Sequence, residues 1–301
     1  MHSRLLDALH AHPLLPGFAV MLVLTLSLLL VTALVTRPNG LGNRGSLRAQ
    51  VTSWWYLFPP VFVAWWLQSW GVALLVLLIG ALAARDMFAL MKGAPAGSYR
   101  ALLTALIFVE AVLIATSNSM LGSAGMLLVA GLALWRWNGV RPRGREPLLL
   151  ALFAIQAAGL LCLPNVAAVQ THAIMPGAWF LYLCIVTALN DIGQYILGTA
   201  FGRHKLSPRL SPNKTWQGLG GGLLFSVLFS VLVGRGLGLA STPLLAVFGL
   251  VLCFSGLLGD LLFSAGKRAL GVKDFSNLIP GHGGILDRVD SLVLTAPVLL
   301  F

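Results

Sequence analysis

From Leu14 to Thr36 the chain runs for 23 residues without one acidic or basic side chain. A helix rises about 1.5 Å per residue, so about 20 apolar residues cross the roughly 30 Å hydrocarbon core of a bilayer. Similar runs cover Ser53–Trp70, Gly71–Met91, Ala101–Thr116, Met120–Trp137, Pro147–Leu163, Ala178–Ala200, Trp216–Val233 and Pro243–Phe263, and a shorter one covers Ser291–Phe301. Lipid offers no hydrogen bonds, so a crossing segment must satisfy its own backbone, which a helix does. The runs predict an all-α integral membrane protein, a polytopic bundle of about nine to ten transmembrane helices. Pro59-Pro60 interrupts the second run, and almost no loop divides it from the third.

Composition excludes the soluble alternative. The 301 residues are 58% hydrophobic and 10% charged, whereas a soluble domain carries about 25% charged residues. Cys162, Cys184 and Cys253 each lie inside an apolar run without metal-site spacing, so they read as small core residues. No small-residue cleavage site follows Leu14–Thr36, which is expected to be a retained helix.

The net charge of +11 would suggest nucleic acid on a soluble protein. Here the bases cluster in the short loops between apolar runs. With the N-terminus outside, five loops fall inside and hold every Lys and Arg except Arg4, Arg85 and Arg235. This is the positive-inside pattern, and it puts those loops on the cytoplasmic side. The expected partners are therefore membrane lipids and no nucleic acid. The expected location is a bacterial inner membrane, with a homodimer admitted.

The nine acids are unevenly spread. Asp7, Asp86 and Glu146 lie near span ends, where solvation is the default. Glu110 lies inside a span, and it reads equally as a packing residue or a functional one. The other five, Asp191, Asp260, Asp274, Asp287 and Asp290, fall in the second half. Residues 1–146 thus read as N-terminal transmembrane helices and 147–301 as a catalytic membrane region.

The richest stretch begins at Gly259-Asp260 and passes Ser264, Lys267-Arg268 and Lys273-Asp274. It then reaches Pro280-Gly281-His282-Gly283-Gly284 and Asp287-Arg288-Val289-Asp290. Carboxylates suit Mg²⁺, which binds few protein oxygens and keeps room for substrate phosphates. Lys267, Arg268, Lys273 and Arg288 offer positive charge to phosphates. A glycine turn bares backbone N–H groups to an anion. Together these are the parts of a phosphoryl or nucleotidyl transferase at a membrane surface.

This stretch resembles the signature of the phosphatidate cytidylyltransferase (CDP-diacylglycerol synthase) family. A second block is similar to the same family. It comprises Asp191-Ile192-Gly193-Gln194-Tyr195, Phe201-Gly202-Arg203, Ser211-Pro212-Asn213-Lys214-Thr215-Trp216-Gln217-Gly218 and Gly220-Gly221-Gly222. The likeness covers about residues 180–290. It implies transfer of a cytidylyl group from CTP to phosphatidic acid, releasing pyrophosphate and forming CDP-diacylglycerol for phospholipid synthesis. By resemblance Asp260 and Asp287 bind Mg²⁺ or another divalent cation. Lys267, Arg268, Lys273 and Arg288 hold phosphates. Ser211, Asn213 and Lys214 line the same pocket, and Asp191, Asp274, His282, Gly283 and Asp290 belong to the site in less defined roles.

Two positions depart from the family pattern. Gln217 stands where Glu is usual, and Gln194 where Ala is common. If the family acid is a base or a metal ligand, the change at Gln217 bears on activity; if it only orients a neighbour or caps a helix, an amide replaces it at little cost. Two rival readings are a related transferase acting on another lipid phosphate and a transporter. The chain shows no repeated halves of the kind transporters often carry.

Overall fold

The computed structural model describes residues 15–36, 45–91, 96–116, 119–138, 145–170, 173, 175–279 and 283–301. The helices are α1 (Leu15–Thr36), α2 (Gly45–Trp66), α3 (Gln68–Leu90), α4 (Ala96–Ala115), α5 (Ser119–Asn138), α6 (Glu146–Leu160), α7 (Leu163–Ala168) and α8 (Ala178–Phe201). A hairpin of β1 (Lys205–Ser207) and β2 (Ser211–Thr215) follows, and then come α9 (Trp216–Gly236), α10 (Thr242–Ala269) and α11 (Leu286–Leu300). Seven segments among the described residues are long and apolar enough to cross a membrane. The chain is a multi-pass, helical membrane protein.

Pro59 and Pro60 do not break α2, contrary to the expectation from sequence. Each proline removes one backbone donor, but a membrane helix can tolerate that when its neighbours satisfy the freed carbonyls. The chain breaks instead at Leu67–Gln68, where Gln68 takes a positive φ of 55°. The hairpin was not foreseen either. It pairs Lys205 with Thr215 and Ser207 with Ser211.

The apolar runs do not all meet lipid equally. Over the span Glu146–Ala168, 94% of the apolar window is buried inside the protein, against 17% for the span of α4. α6 is therefore the hub, in contact with α3, α4, α5, α10 and α11. Glu110 on α4 is fully buried, with Oε2 2.7 Å from where a side chain at Gly80 of α3 would begin. Neither of its oxygens has a hydrogen-bond partner among the described residues.

Two close helix contacts position the polar end of the bundle. A Cβ at Gly221 of α9 would stand 2.5 Å from the Gly193 carbonyl of α8, so the small residue lets those backbones meet. A Cβ at Gly259 of α10 would collide with the Asp290 carbonyl of α11. α10 has 28 residues, about 42 Å of helix, so it outruns the hydrocarbon core. Asp260 and the bases Lys267 and Arg268 occupy its C-terminal third.

Candidate active site

The acids and bases of α8, β2, α10 and α11 gather at one end of the bundle. Thr215 caps α9 by accepting the Gly218 N–H at 3.0 Å, and this sets where the strand before it lies. Lys214, the preceding residue, reaches Asp260 Oδ2 at 2.7 Å and also donates to Gln194 Oε1 at 3.2 Å. Ser264, one turn after Asp260, donates to Asp260 Oδ1 at 3.1 Å.

Asp287 is more enclosed. Its Oδ1 meets Lys267 Nζ at 2.6 Å, and both side chains are nearly excluded from solvent. Its Oδ2 accepts the Phe275 N–H at 3.1 Å and the Gly284 N–H at 2.9 Å. Gly283 has φ of 81°, which suits a glycine, and a Cβ there would lie 2.7 Å from Asp287 Oδ2 and 3.2 Å from Asp274 Cβ. Lys267 Nζ also lies 5.7 Å from the centre of the Phe275 ring.

Asp191 and Asp290 tie these two ion pairs together. Asp191 accepts from Ser291 Oγ and Asn190 Nδ2, each at 3.4 Å. It interacts electrostatically with Lys214, Asp260 and Arg288. Asp290 accepts the Ser291 N–H at 2.9 Å and interacts electrostatically with Asp260, Lys267, Asp191 and Arg288. Asp260 and Asp287 thus belong to one charged network, although they lie far apart in sequence.

The remaining site residues foreseen from sequence sit around this centre or outside it. Arg268 donates to the Leu210 and Val272 carbonyls, both at 3.2 Å, so it staples the hairpin turn to the end of α10. Lys273, Asp274, Asn213 and Arg288 are exposed, and Ser211 is half-buried in β2. His282 lies outside the described residues. Gln194, Ser264 and Ser291 are partners that sequence reasoning did not assign. For Ser264 and Ser291 the hint was helical spacing, one turn after Asp260 and Asp287 respectively.

Gln217 holds the loop before the hairpin. Its Oε1 accepts the N–H groups of Arg203 at 3.1 Å and His204 at 3.2 Å, and its Nε2 lies 3.0 Å from His204 Nδ1. A carboxylate could accept the same two amides. Gln217→Glu is therefore expected to leave turnover within about threefold of wild type. Gln217→Ala should speed tryptic cleavage after Arg203 and Lys205, read by peptide mapping. Equal cleavage of Gln217→Ala and wild type would remove this role.

Asp260 and Asp287 are the carboxylates that would hold a divalent cation. A carboxylate offers about four lone-pair positions. Asp260 has one contact on each oxygen, and Asp287 has one on Oδ1 and two on Oδ2, so both keep acceptor capacity. Among the described residues no group of three or more His, Cys, Asp or Glu is placed to hold a metal ion. A Mg²⁺ ion held here would take one or two of these carboxylates and complete its shell with substrate phosphates.

Comparison with known proteins places these residues in a wider set. The model of the cytidylyltransferase family matches residues 48–301. The chain is 38% identical over 193 residues to the uncharacterized protein YnbB of Escherichia coli, covering 63% of this chain and 59% of that protein. It is 43% identical over 122 residues to the phosphatidate cytidylyltransferase of Staphylococcus epidermidis, covering 40% and 47%. Against the phosphatidate cytidylyltransferase of Bacillus subtilis it is 40% identical over 127 residues, covering 41% and 46%. The chain spans about half the length of the curated relatives it matches.

Proposed function

Because the chain belongs to the cytidylyltransferase family, we propose that it transfers the cytidylyl group of CTP to phosphatidic acid. One observation carries this reading: two lysine–carboxylate pairs, Lys214–Asp260 and Lys267–Asp287, held in one network at the end of a membrane bundle. Relatives at about 40% identity named phosphatidate cytidylyltransferase support it.

In the proposed reaction a phosphate oxygen of phosphatidic acid forms a bond to the α-phosphorus of CTP. The bond from that phosphorus to the bridging oxygen breaks, and its electron pair leaves with pyrophosphate. The lipid phosphate is already a nucleophile, so no strong base is needed. The difficulty is that two polyanions must meet, and fixed positive charge lowers that barrier. Lys214 and Lys267 supply ammonium donors whose positions Asp260, Asp287 and Gln194 set. Arg288, exposed beside Asp290, can fork onto a phosphate. Asp260 and Asp287 would hold the divalent cation, which when bound offsets phosphate charge.

The same reading sets the orientation. All ten apolar runs correspond to helices once α1, α2 and α11 join the seven long apolar segments. With ten spans and the basic loops inside, the site opens to the cytoplasm of a bacterial plasma membrane. Lipid head groups and CTP meet there.

Purified protein in vesicles, given CTP, Mg²⁺ and phosphatidic acid, should release pyrophosphate and form CDP-diacylglycerol. The reading fails if neither product accumulates while the protein remains monodisperse. Replacing phosphatidic acid with other lipid phosphates in the same assay tests the rival acceptor.

A further inference from the structure

Asp86 lies on α3, in the half of the chain that carries no part of the sequence signature. Its position at the end of an apolar run, next to the exposed Arg85, suggested a solvated residue. The fold corrects this: Asp86 is only 2% exposed. Its Oδ2 accepts the Ile285 N–H at 3.1 Å, across 199 residues of sequence. The same oxygen stands 2.7 Å from where a side chain at Gly284 would begin.

Ile285 is the residue that enters α11, and its own side chain makes no capping hydrogen bond. The first amides of a helix lack partners within it, and the helix dipole favours negative charge beside them. Two carboxylates meet this need from different directions. Asp287, within α11, takes the Gly284 N–H, and Asp86, from α3, takes the next one at Ile285. Asp287 also holds Lys267, so the loop, the helix start and the ion pair form one unit anchored on α3.

We infer that Asp86 is a positioning residue for the transferase site: its carboxylate caps α11 from another helix and holds Asp287, Arg288 and Asp290 in register with α10. This rests on the cytidylyl transfer proposed above for its kinetic consequence, but not for its structural one. A buried N–H without an acceptor pulls toward water or another partner, so losing Asp86 should let the Gly283–Asp287 turn move. The site would then lose alignment more than affinity, because Lys214 and Asp260, proposed above to meet CTP, are not held by Asp86.

Three variants test this in reconstituted vesicles. Asp86→Ala removes the acceptor. Asp86→Asn keeps an oxygen at the same reach. Asp86→Glu keeps the charge but shifts the oxygen by one methylene. Asp86→Ala is expected to lower kcat by about tenfold or more, with KM for CTP moving less than about threefold. Asp86→Asn should recover kcat to within about threefold of wild type, and Asp86→Glu should not. Backbone hydrogen exchange should rise in the segment 283–290 of Asp86→Ala and stay unchanged in α8 and α9.

Full activity in Asp86→Ala or Asp86→Glu would overturn the inference, as would equal impairment of the Ala and Asn variants. If Asp86→Ala cannot be isolated folded, the contrast between the Asn and Glu variants decides. A wild-type protein inert toward CTP and phosphatidic acid would sink the proposed function. The exchange measurement would still test the tether.

Discussion

Asp260→Ala is expected to insert and fold, yet to form CDP-diacylglycerol about a hundredfold or more slowly than wild type. Asp260 is half-buried at the end of α10, and its two oxygens are taken by Lys214 and Ser264. Removing the carboxylate frees the Lys214 ammonium from the place where a phosphate would meet it. It also deletes one of the two proposed cation ligands. The effect on folding should be small, because the pair is partly exposed and the Lys214 ammonium can turn to water. Asp260→Asn keeps an acceptor for Ser264 but carries no charge, so it should be as slow as Asp260→Ala if the charge is what matters. Turnover near wild type in Asp260→Ala, with Mg²⁺ and both substrates saturating, would show that Asp260 takes no part in the chemistry.

The largest loss of stability should follow Lys267→Met. The Lys267–Asp287 pair is buried, and removing one member leaves the other as an uncompensated charge, a change that typically costs about 3–5 kcal/mol. The carboxylate left behind also anchors the Phe275 and Gly284 amides, so the loop between α10 and α11 should loosen with it. Lys267→Met combined with Asp287→Asn should recover part of the lost stability, because no unpaired charge then remains buried. Neither the single nor the double variant should recover turnover. Thermal unfolding in detergent gives the stability and pyrophosphate release gives the activity. If the single variant melts with wild type, the pair is not an energetic link in the folded state. If the double variant turns over normally, it is not a chemical one.

The helical framework was legible because lipid leaves the backbone few options. Each apolar run in the sequence became helix, even the one holding Pro59-Pro60. The charged network was legible for a related reason. In a chain that avoids charge, the clustering of Asp260, Lys267, Asp287 and Asp290 had to be explained. Arg268 shows where that reasoning runs out: residue type marked it for phosphate, while the fold gives its donors to two carbonyls. The hairpin escaped notice because its strands are three and five residues long, with prolines at 208 and 212, and no alternating pattern can build up over so few positions. Asp86 was missed because nothing local reveals a partner on another helix.

The burial of α6 explains what the featureless first half is for. A segment as apolar as α6 could sit in lipid alone, so water-driven collapse does not draw it to the centre. It is held there by close fit, through small residues such as Ala151, Ala154, Ala157 and Gly159, against helices on every side. Of the helices before it, α3, α4 and α5 pack against this post, and among the described residues they reach the charged network only through the Asp86 tether to Ile285. Sequence drift on their outer faces should be harmless. A change that thickens their inner faces would tilt α6, and with it α10 and α11, so the reaction would feel a substitution far from any phosphate.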